Sequence, residues 1–325
     1  MPQHSPKLEV AVVGSLNLDY IAGVQTLPRP GETVIANSLI LRFGGKGANQ
    51  AIAAARQGAR VALIGCVGSE SHGKAYLKRL RAENIIARGI YSTPKALCGT
   101  ALIAVNRHGE NTIVVAPGAN AELNPGLIRA HRHLITRSCI VLLQLEIPMR
   151  SVIAAIKVAN HGRVPVVLNP SPFQRDFPWR TCRIDTLIVN SGEATAIFKQ
   201  QLKRSSSSLA TWRRAIAQRN IQHLVITRGA APTIYIGAEG WFEVPALKVK
   251  PVDTVGAGDA FAGAFAAHRA QGADLLAAIG YANCAGALAT LRPGAQESIP
   301  NLAATKSALA QRSANFRHLS PVESV

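Results

Sequence analysis

The sequence predicts an α/β protein with a mostly parallel central sheet and helices on both faces. Short apolar, β-branched runs alternate with Ala-rich stretches from Leu8 to Gln311, the rhythm of strand–helix–strand units. Hydrophobic residues make up 48% of the 325, yet only 5% are aromatic. Such a core is built of Ala, Val, Ile and Leu, which suits helices lying on a sheet. Glycines and polar residues gather just after the strand-like runs, at the carboxyl edge where open α/β sheets place ligands.

Length and composition bound the rest. The chain can bury one large core, and we expect a single domain over 1–325, without internal repeat. No apolar run reaches membrane-spanning length. The start, MPQHSPKLEV, lacks a signal-peptide core, and five scattered cysteines form no C-x-x-C pair; both lead us to expect a cytoplasmic protein with free thiols. Lys and Arg number 36 against 18 Asp and Glu, a formal charge of +18. The basic residues are spread along the chain without aromatic interleaving. We therefore expect the charge to attract anionic substrates, with nucleic acid not a primary partner.

Taken in order, Leu8–Val13 forms a short buried strand, and Gly14-Ser15-x-Asn17-x-Asp19 follows it. Asn17 donates and accepts while Asp19 only accepts, a pair that suits a ligand with several hydroxyls; alone, such a pair is more often a turn than a site. Residues 20–36 make an irregular excursion with short strands. Gly44-Gly45-Lys46-Gly47-Ala48-Asn49-Gln50 then opens an Ala-rich helix, with glycines that let a ligand approach bare backbone. Gly68 to Lys74 matches a phosphate-loop spacing, but Ala75 stands where a hydroxyl is needed and Glu70 places negative charge in the cradle. It is an ordinary strand-to-helix turn. Thr100 to Val105 and Thr112 to Val115 flank a hairpin and interrupt the strand–helix rhythm, so 98–115 and 20–36 are expected to form a β-rich lid. Beyond it, strands end at Glu146, Asn169-Pro170, Asn190 and Thr227. Ser205 to Ser208 is expected to be a turn, and the tail from about Ser313 to be loose.

The stretch the chain is organised around is Asp253-Thr254-Val255-Gly256-Ala257-Gly258-Asp259. It enters an Ala- and Phe-rich helix. Unpaired N–H groups and the positive dipole end of a helix make an anion site. A carboxylate in that first turn suits a base that accepts a hydroxyl proton as the oxygen attacks a phosphoryl group. Alone, the four residues Gly-Ala-Gly-Asp fit a simple turn with an Asp near the N-cap as well.

Together these pieces resemble the ribokinase-like (PfkB) family of sugar and nucleoside kinases. The Gly-Gly-Lys-Gly-Ala-Asn-Gln run is similar to that family's first signature and Asp253-Thr254-x-Gly256-Ala257-Gly258-Asp259 to its second, in order and at the expected spacing from about Glu9 to Pro300. Gly31-Glu32-Thr33 and Asn169-Pro170-x-Pro172 point to the ribokinase branch. The resemblance implies an ATP-dependent sugar kinase, with fructose-type, deoxysugar-acid or nucleoside acceptors as alternatives, or a silent binding homologue. It implies that Asn17, Asp19, Gly45, Lys46, Gly47, Ala48, Asn49 and Glu146 hold the sugar and that Asp259 is the base. Gly256, Ala257 and Gly258 would form the anion hole. Asn190 and Glu193 would help place Mg²⁺ and the nucleotide phosphates, with Thr227, Gly229 and Asn283 on the nucleotide side. Asp253, Val255, Ala289, Arg292, Gly294 and Ser298 match a loop for a monovalent cation such as K⁺. A homodimer through the lid is expected. Three residues depart from the pattern: Pro232 and Arg228 near the nucleotide loop, and Cys98 near the sugar.

Overall fold

The computed structural model describes residues 7–200, 202 and 206–315. The chain opens with β1 (Leu8–Val13), β2 (Asn17–Gly23), β3 (Ser38–Gly44), α1 (Lys46–Arg56), β4 (Val61–Gly68), α2 (Ser71–Ala82), β5 (Ile86–Thr93), β6 (Gly99–Val105) and β7 (Asn111–Ala116). It continues through α3 (Pro125–Ala130), α4 (Arg132–Thr136), β8 (Ser138–Leu143), α5 (Met149–His161), β9 (Val166–Leu168), β10 (Ile184–Asn190), α6 (Ser191–Phe198) and α7 (Ser206–Ala217). It closes with β11 (Ile221–Arg228), β12 (Ala231–Gly237), β13 (Gly240–Val244), α8 (Ala257–Ala270), α9 (Leu275–Ala289) and α10 (Leu302–Asn315).

Nine strands form the main sheet, in the order β13-β12-β11-β10-β9-β8-β1-β4-β5. The pairings from β11 through β5 are parallel, and β12 and β13 are added antiparallel at one edge. Successive residues of β1 serve opposite faces, as a period of two requires. Ala11 and Val13 join the core under α3 to α7, while Val10 and Val12 join the one under α1, α2, α8 and α9. Both faces of the central strands are therefore dry, which is why β4 and β8 appear in the sequence as continuous apolar runs.

A separate four-stranded sheet has the order β3-β2-β6-β7. β2 pairs antiparallel with β3 and parallel with β6, and β6 pairs antiparallel with β7. This sheet carries the expected extra hairpin, but its second strand lies at Ser38–Gly44, beyond the 20–36 excursion. Leu39, Ile40 and Leu41 are exposed there, as are Leu102, Ile113, Val114 and Val115 across the sheet.

Other boundaries also moved. The residues Trp241 to Val249 look strand-like throughout in the sequence, but the strand stops at Val244 because Pro245 cannot donate to the ladder. The Ser-rich stretch begins helix α7 at Ser206 rather than making a turn, since Ser is well tolerated at helix starts; Ser205 lies outside the described residues. The last helix runs on to Asn315, and the rest of the expected tail lies outside the described residues. No described helix is long and apolar enough to cross a membrane.

Candidate active site

The carboxyl ends of β1, β8, β9, β10 and β11 meet the N-termini of α1, α6 and α8. A cleft of ≈ 220 Å³ opens there, lined among others by Lys46, Asn169, Asn190, Glu193, Thr227, Gly258 and Asp259.

Asp259 sits in the first turn of α8 and is buried. Its Oδ2 accepts from the Asn49 amide at 2.9 Å and its Oδ1 from the Gln50 amide at 2.9 Å. Each amide is itself fixed. The Gln144 amide donates to Gln50 Oε1 at 2.6 Å, and Gln50 also donates to Asn169 Oδ1 at 3.2 Å. The Gln296 amide donates to Asn49 Oδ1 at 3.1 Å and to the Tyr76 hydroxyl at 2.9 Å. The carboxylate is thus aimed by two side chains whose own O and N ends are fixed by what lies behind them.

Behind Asp259, Gly256 caps α8 with φ 77, a left-handed conformation that favours glycine, and a Cβ there would meet Ala295 main chain at 2.9 Å. The Ala257 N–H is occupied by Thr254 O at 3.3 Å. The N–H groups of Gly258 and Asp259 have no acceptor among the described residues, and a Cβ at Gly258 would meet nothing within 4 Å. The open donors of the expected anion hole are therefore at 258 and 259.

On the other side, Glu146 Oε2 accepts from Ser15 Oγ at 2.6 Å and from the Lys46 N–H at 3.1 Å, at the positive end of α1. Gly47 packs that helix end against the β1–β2 turn, where a Cβ would meet Gly14 main chain at 2.5 Å. The glycines of this run therefore answer a packing need of the protein itself. Ala48 is buried beneath them, with its N–H on Ser15 O at 3.0 Å. Asn17 is buried, and its Oδ1 accepts from Asn120 Nδ2 at 2.8 Å, which leaves its own amide N–H groups as donors. Burial, with Glu146, Glu297 and Asp259 nearby, pushes the Asp19 carboxyl up to about 7. Lys46 is the counter-charge: Asp259 first, then Glu146, Glu193 and Asp19 hold its ammonium above the ordinary lysine range, against the opposing effect of burial.

Asn190 and Glu193 form a capping box at the start of α6, with N–H bonds of 2.8 and 2.9 Å. One Glu193 oxygen is used by the cap; the other faces no described donor. Thr227 Oγ1 donates to Val189 O at 3.3 Å, joining β11 to β10, and Gly229 follows with φ 60 at the β11–β12 turn. Asn283 stands apart from the cleft lining. Its Oδ1 accepts from Thr233 and its amide donates to Val244 O and Pro245 O, so it braces the wall formed by β12 and β13. Arg228 turns away as well, donating to Pro232 O at 2.6 Å and to Glu243 at 3.1 Å.

Asp253 ties two loops together. Its oxygens accept from Val255 N–H at 3.0 Å and Gly294 N–H at 2.9 Å. Ser298 is buried, with its hydroxyl on Ala295 O at 3.4 Å. The carbonyls of Val255, Ala289, Arg292 and Gly294 accept from no described residue.

The false phosphate loop is closed by its own glutamate. Glu70 accepts the Cys98 N–H at 3.0 Å, and a Cβ at Gly68 would meet its carboxylate. Cys98 is buried, which pushes its thiol up to about 12.

Gln50, Gln144, Asn120 and Gln296 were not singled out from sequence. Gln50 adjoins Asn49 in the motif, and Gln144 lies two residues before Glu146 where a strand's period of two would place both on one side. Nothing local marks Asn120 or Gln296.

The chain matches the model of the pfkB family carbohydrate kinases over residues 7–302. It is 35% identical to the ribokinase of Bacillus subtilis over 294 residues, 90% of this chain and 96% of the relative. It is 30% identical to the deoxyribokinase of Salmonella typhimurium, over 91% of this chain and 96% of that one. Its fold superimposes on Arabidopsis thaliana ribokinase, solved with ribose and ATP, with a TM-score of 0.86 at 25% identity, covering 93% of this chain and 99% of that one. With the acidic group aimed at a helix mouth and the matching sequence on both sides of it, the chain belongs to the pfkB family of carbohydrate kinases and is a phosphotransferase acting on an alcohol group.

Proposed function

We propose that the protein is an ATP-dependent ribokinase, transferring the γ-phosphoryl group of ATP to the primary hydroxyl of ribose. The observation that carries this is Asp259, held on both oxygens beside the open N–H groups of Gly258 and its own residue. Asp259 accepts the proton of the attacking hydroxyl; the new oxygen–phosphorus bond forms as the bond to the ADP oxygen breaks. The free N–H groups of Gly258 and Asp259, with Lys46, stabilise charge on the transferring group, the source of most rate in such reactions. Asn17, Asp19, Asn49 and Glu146, with the Gly45–Ala48 main chain, orient the sugar. Thr227 and Gly229 border the nucleotide, and Asn283 shapes its wall.

The donor set fits the ions that the resemblance implies. A single carboxylate with a free oxygen, Glu193 beside Asn190, is what Mg²⁺ carried on phosphates needs, since that ion keeps most of its waters. Bound there, it would neutralise phosphate charge. Four unpaired carbonyls with Asp253 and Ser298 suit a large monovalent cation such as K⁺, which would brace the Gly256 loop from behind.

We further propose a cytoplasmic homodimer of single-domain subunits. The four-stranded sheet is the lid over the sugar, and its exposed apolar residues and open edges form the contact.

ADP release measured with ATP, Mg²⁺ and a panel of pentoses, hexoses, sugar acids and nucleosides tests the acceptor. Ribose should be best. A second reading, 2-deoxyribose as acceptor, is favoured by the deoxyribokinase relative. A tenfold preference for it, about 1.4 kcal/mol in transition-state binding, would replace ribose.

A further inference from the structure

A cavity of ≈ 740 Å³ opens at the opposite end of the main sheet from Asp259. The N-terminal ends of β1, β5 and β8 and the turns entering β4 and β9 form it. Lys7, Arg60, Arg88, His133, Arg137 and Arg163 line it, drawn from separate segments of the chain, and no acid does. Their side chains form no hydrogen bond or ion pair with any described residue. Glu9, the nearest carboxylate along the chain, takes the Arg60 main-chain N–H at 2.7 Å.

Gathering unpaired cations around one hollow is unfavourable in the empty protein, because like charges repel and apolar walls such as Leu8, Leu134 and Val164 weaken solvent screening. The crowding is felt locally. Slight burial first, then Arg88, His131, Arg137 and Arg132, hold the His133 imidazole below its ordinary range. At the end of α5, Arg163 takes φ 54, in the left-handed position just past the helix where glycine is usual, while Val164 N–H closes the turn on Ala159 O. The residue there is an arginine, although a glycine would avoid the backbone cost.

We propose that this cavity binds a small polyanion, a phosphorylated metabolite with three or more negative charges, at a site separate from the catalytic cleft. Five permanent cations match such a ligand in charge. The volume falls within the range of small-molecule sites, and the hollow is concave. Single-stranded nucleic-acid grooves present aromatic platforms, and no aromatic ring other than that of His133 lines this hollow. A six-residue strand such as β1 spans about 20 Å, so the two sites lie at opposite ends of the same strands and do not compete for space.

Calorimetric titration of the full chain with inorganic tripolyphosphate, with and without saturating ADP, tests the assignment independently of the acceptor sugar. Binding should persist with ADP present and weaken at least tenfold in the Arg88→Ala/Arg137→Ala double variant. Both positions are exposed, so circular dichroism and sugar-kinase turnover should match the parent. Loss of binding on adding ADP, or unchanged binding in the double variant, would overturn the site. A duplex oligonucleotide bound more tightly than tripolyphosphate through the same two arginines would also overturn it, making the face a nucleic-acid surface.

Discussion

Gln50 and Asp259 stand 209 residues apart in the chain and share a hydrogen bond of 2.9 Å, with Gln144 fixing the far end of the Gln50 amide at 2.6 Å. A glutamine held at its oxygen can present only its N–H₂ to the carboxylate. Gln50→Leu removes that donor at similar size. We expect kcat to fall at least tenfold with the melting temperature changed by a few degrees at most, measured by steady-state kinetics and calorimetry. Gln144→Leu should show the same pattern more weakly, because Gln50 then loses only its constraint.

Asp259→Asn keeps size and one of the two accepted hydrogen bonds, but it cannot accept a proton, and its own N–H₂ faces the Asn49 or Gln50 amide donor. Turnover should drop by about 10²–10⁴-fold, roughly 3–5 kcal/mol, with little change in KM. A variant that keeps kcat and raises only the sugar KM would make Asp259 a binding residue.

Asp19 should give the protein a pH signature. Its folded value of about 7 lies above the unfolded carboxyl near 4. Between these values the unfolded chain has lost the proton and the folded one retains it, so stability falls as pH rises through that window and the deficit is complete above about 7. Asp19→Asn should therefore raise the melting temperature by several degrees more at pH 8 than at pH 5. Sugar KM in the parent should fall from pH 6 to 8, as the ionised carboxylate becomes the stronger acceptor. Scanning fluorimetry and kinetics at matched ionic strength read both.

Asp253 links the Val255 and Gly294 N–H groups, so the proposed cation loop can act on Gly256 through its backbone. Activity in potassium should exceed that in a bulky organic-cation buffer severalfold. Equal rates in the two would reduce Asp253 to a structural tie between loops.

The exposed apolar residues of the small sheet predict association. Light scattering at micromolar protein should give twice the monomer mass, and Ile113→Lys/Val115→Lys should halve it. An active monomer in the parent would remove the dimer while leaving the lid intact.

The sequence by itself determined the elements and the turns that carry chemistry. β1 runs over the residues its apolar pattern marked, α9 starts on Asp274 as its N-cap, and the Gly256–Asp259 turn opens α8. Such features are set by neighbours a few positions away, through periodicity, capping and backbone freedom. Tertiary structure decided which polar groups meet. Asn49, Gln50, Gln144, Asn169 and Gln296 converge behind or beside Asp259 only once strand order and register are fixed. Arg228 is directed to Glu243 by the β12–β13 hairpin. The basic hollow likewise draws its cations from strand ends that are distant in the chain and adjacent in the sheet. Buried polar pairing and charge crowding depend on distances through space, and no local pattern records those.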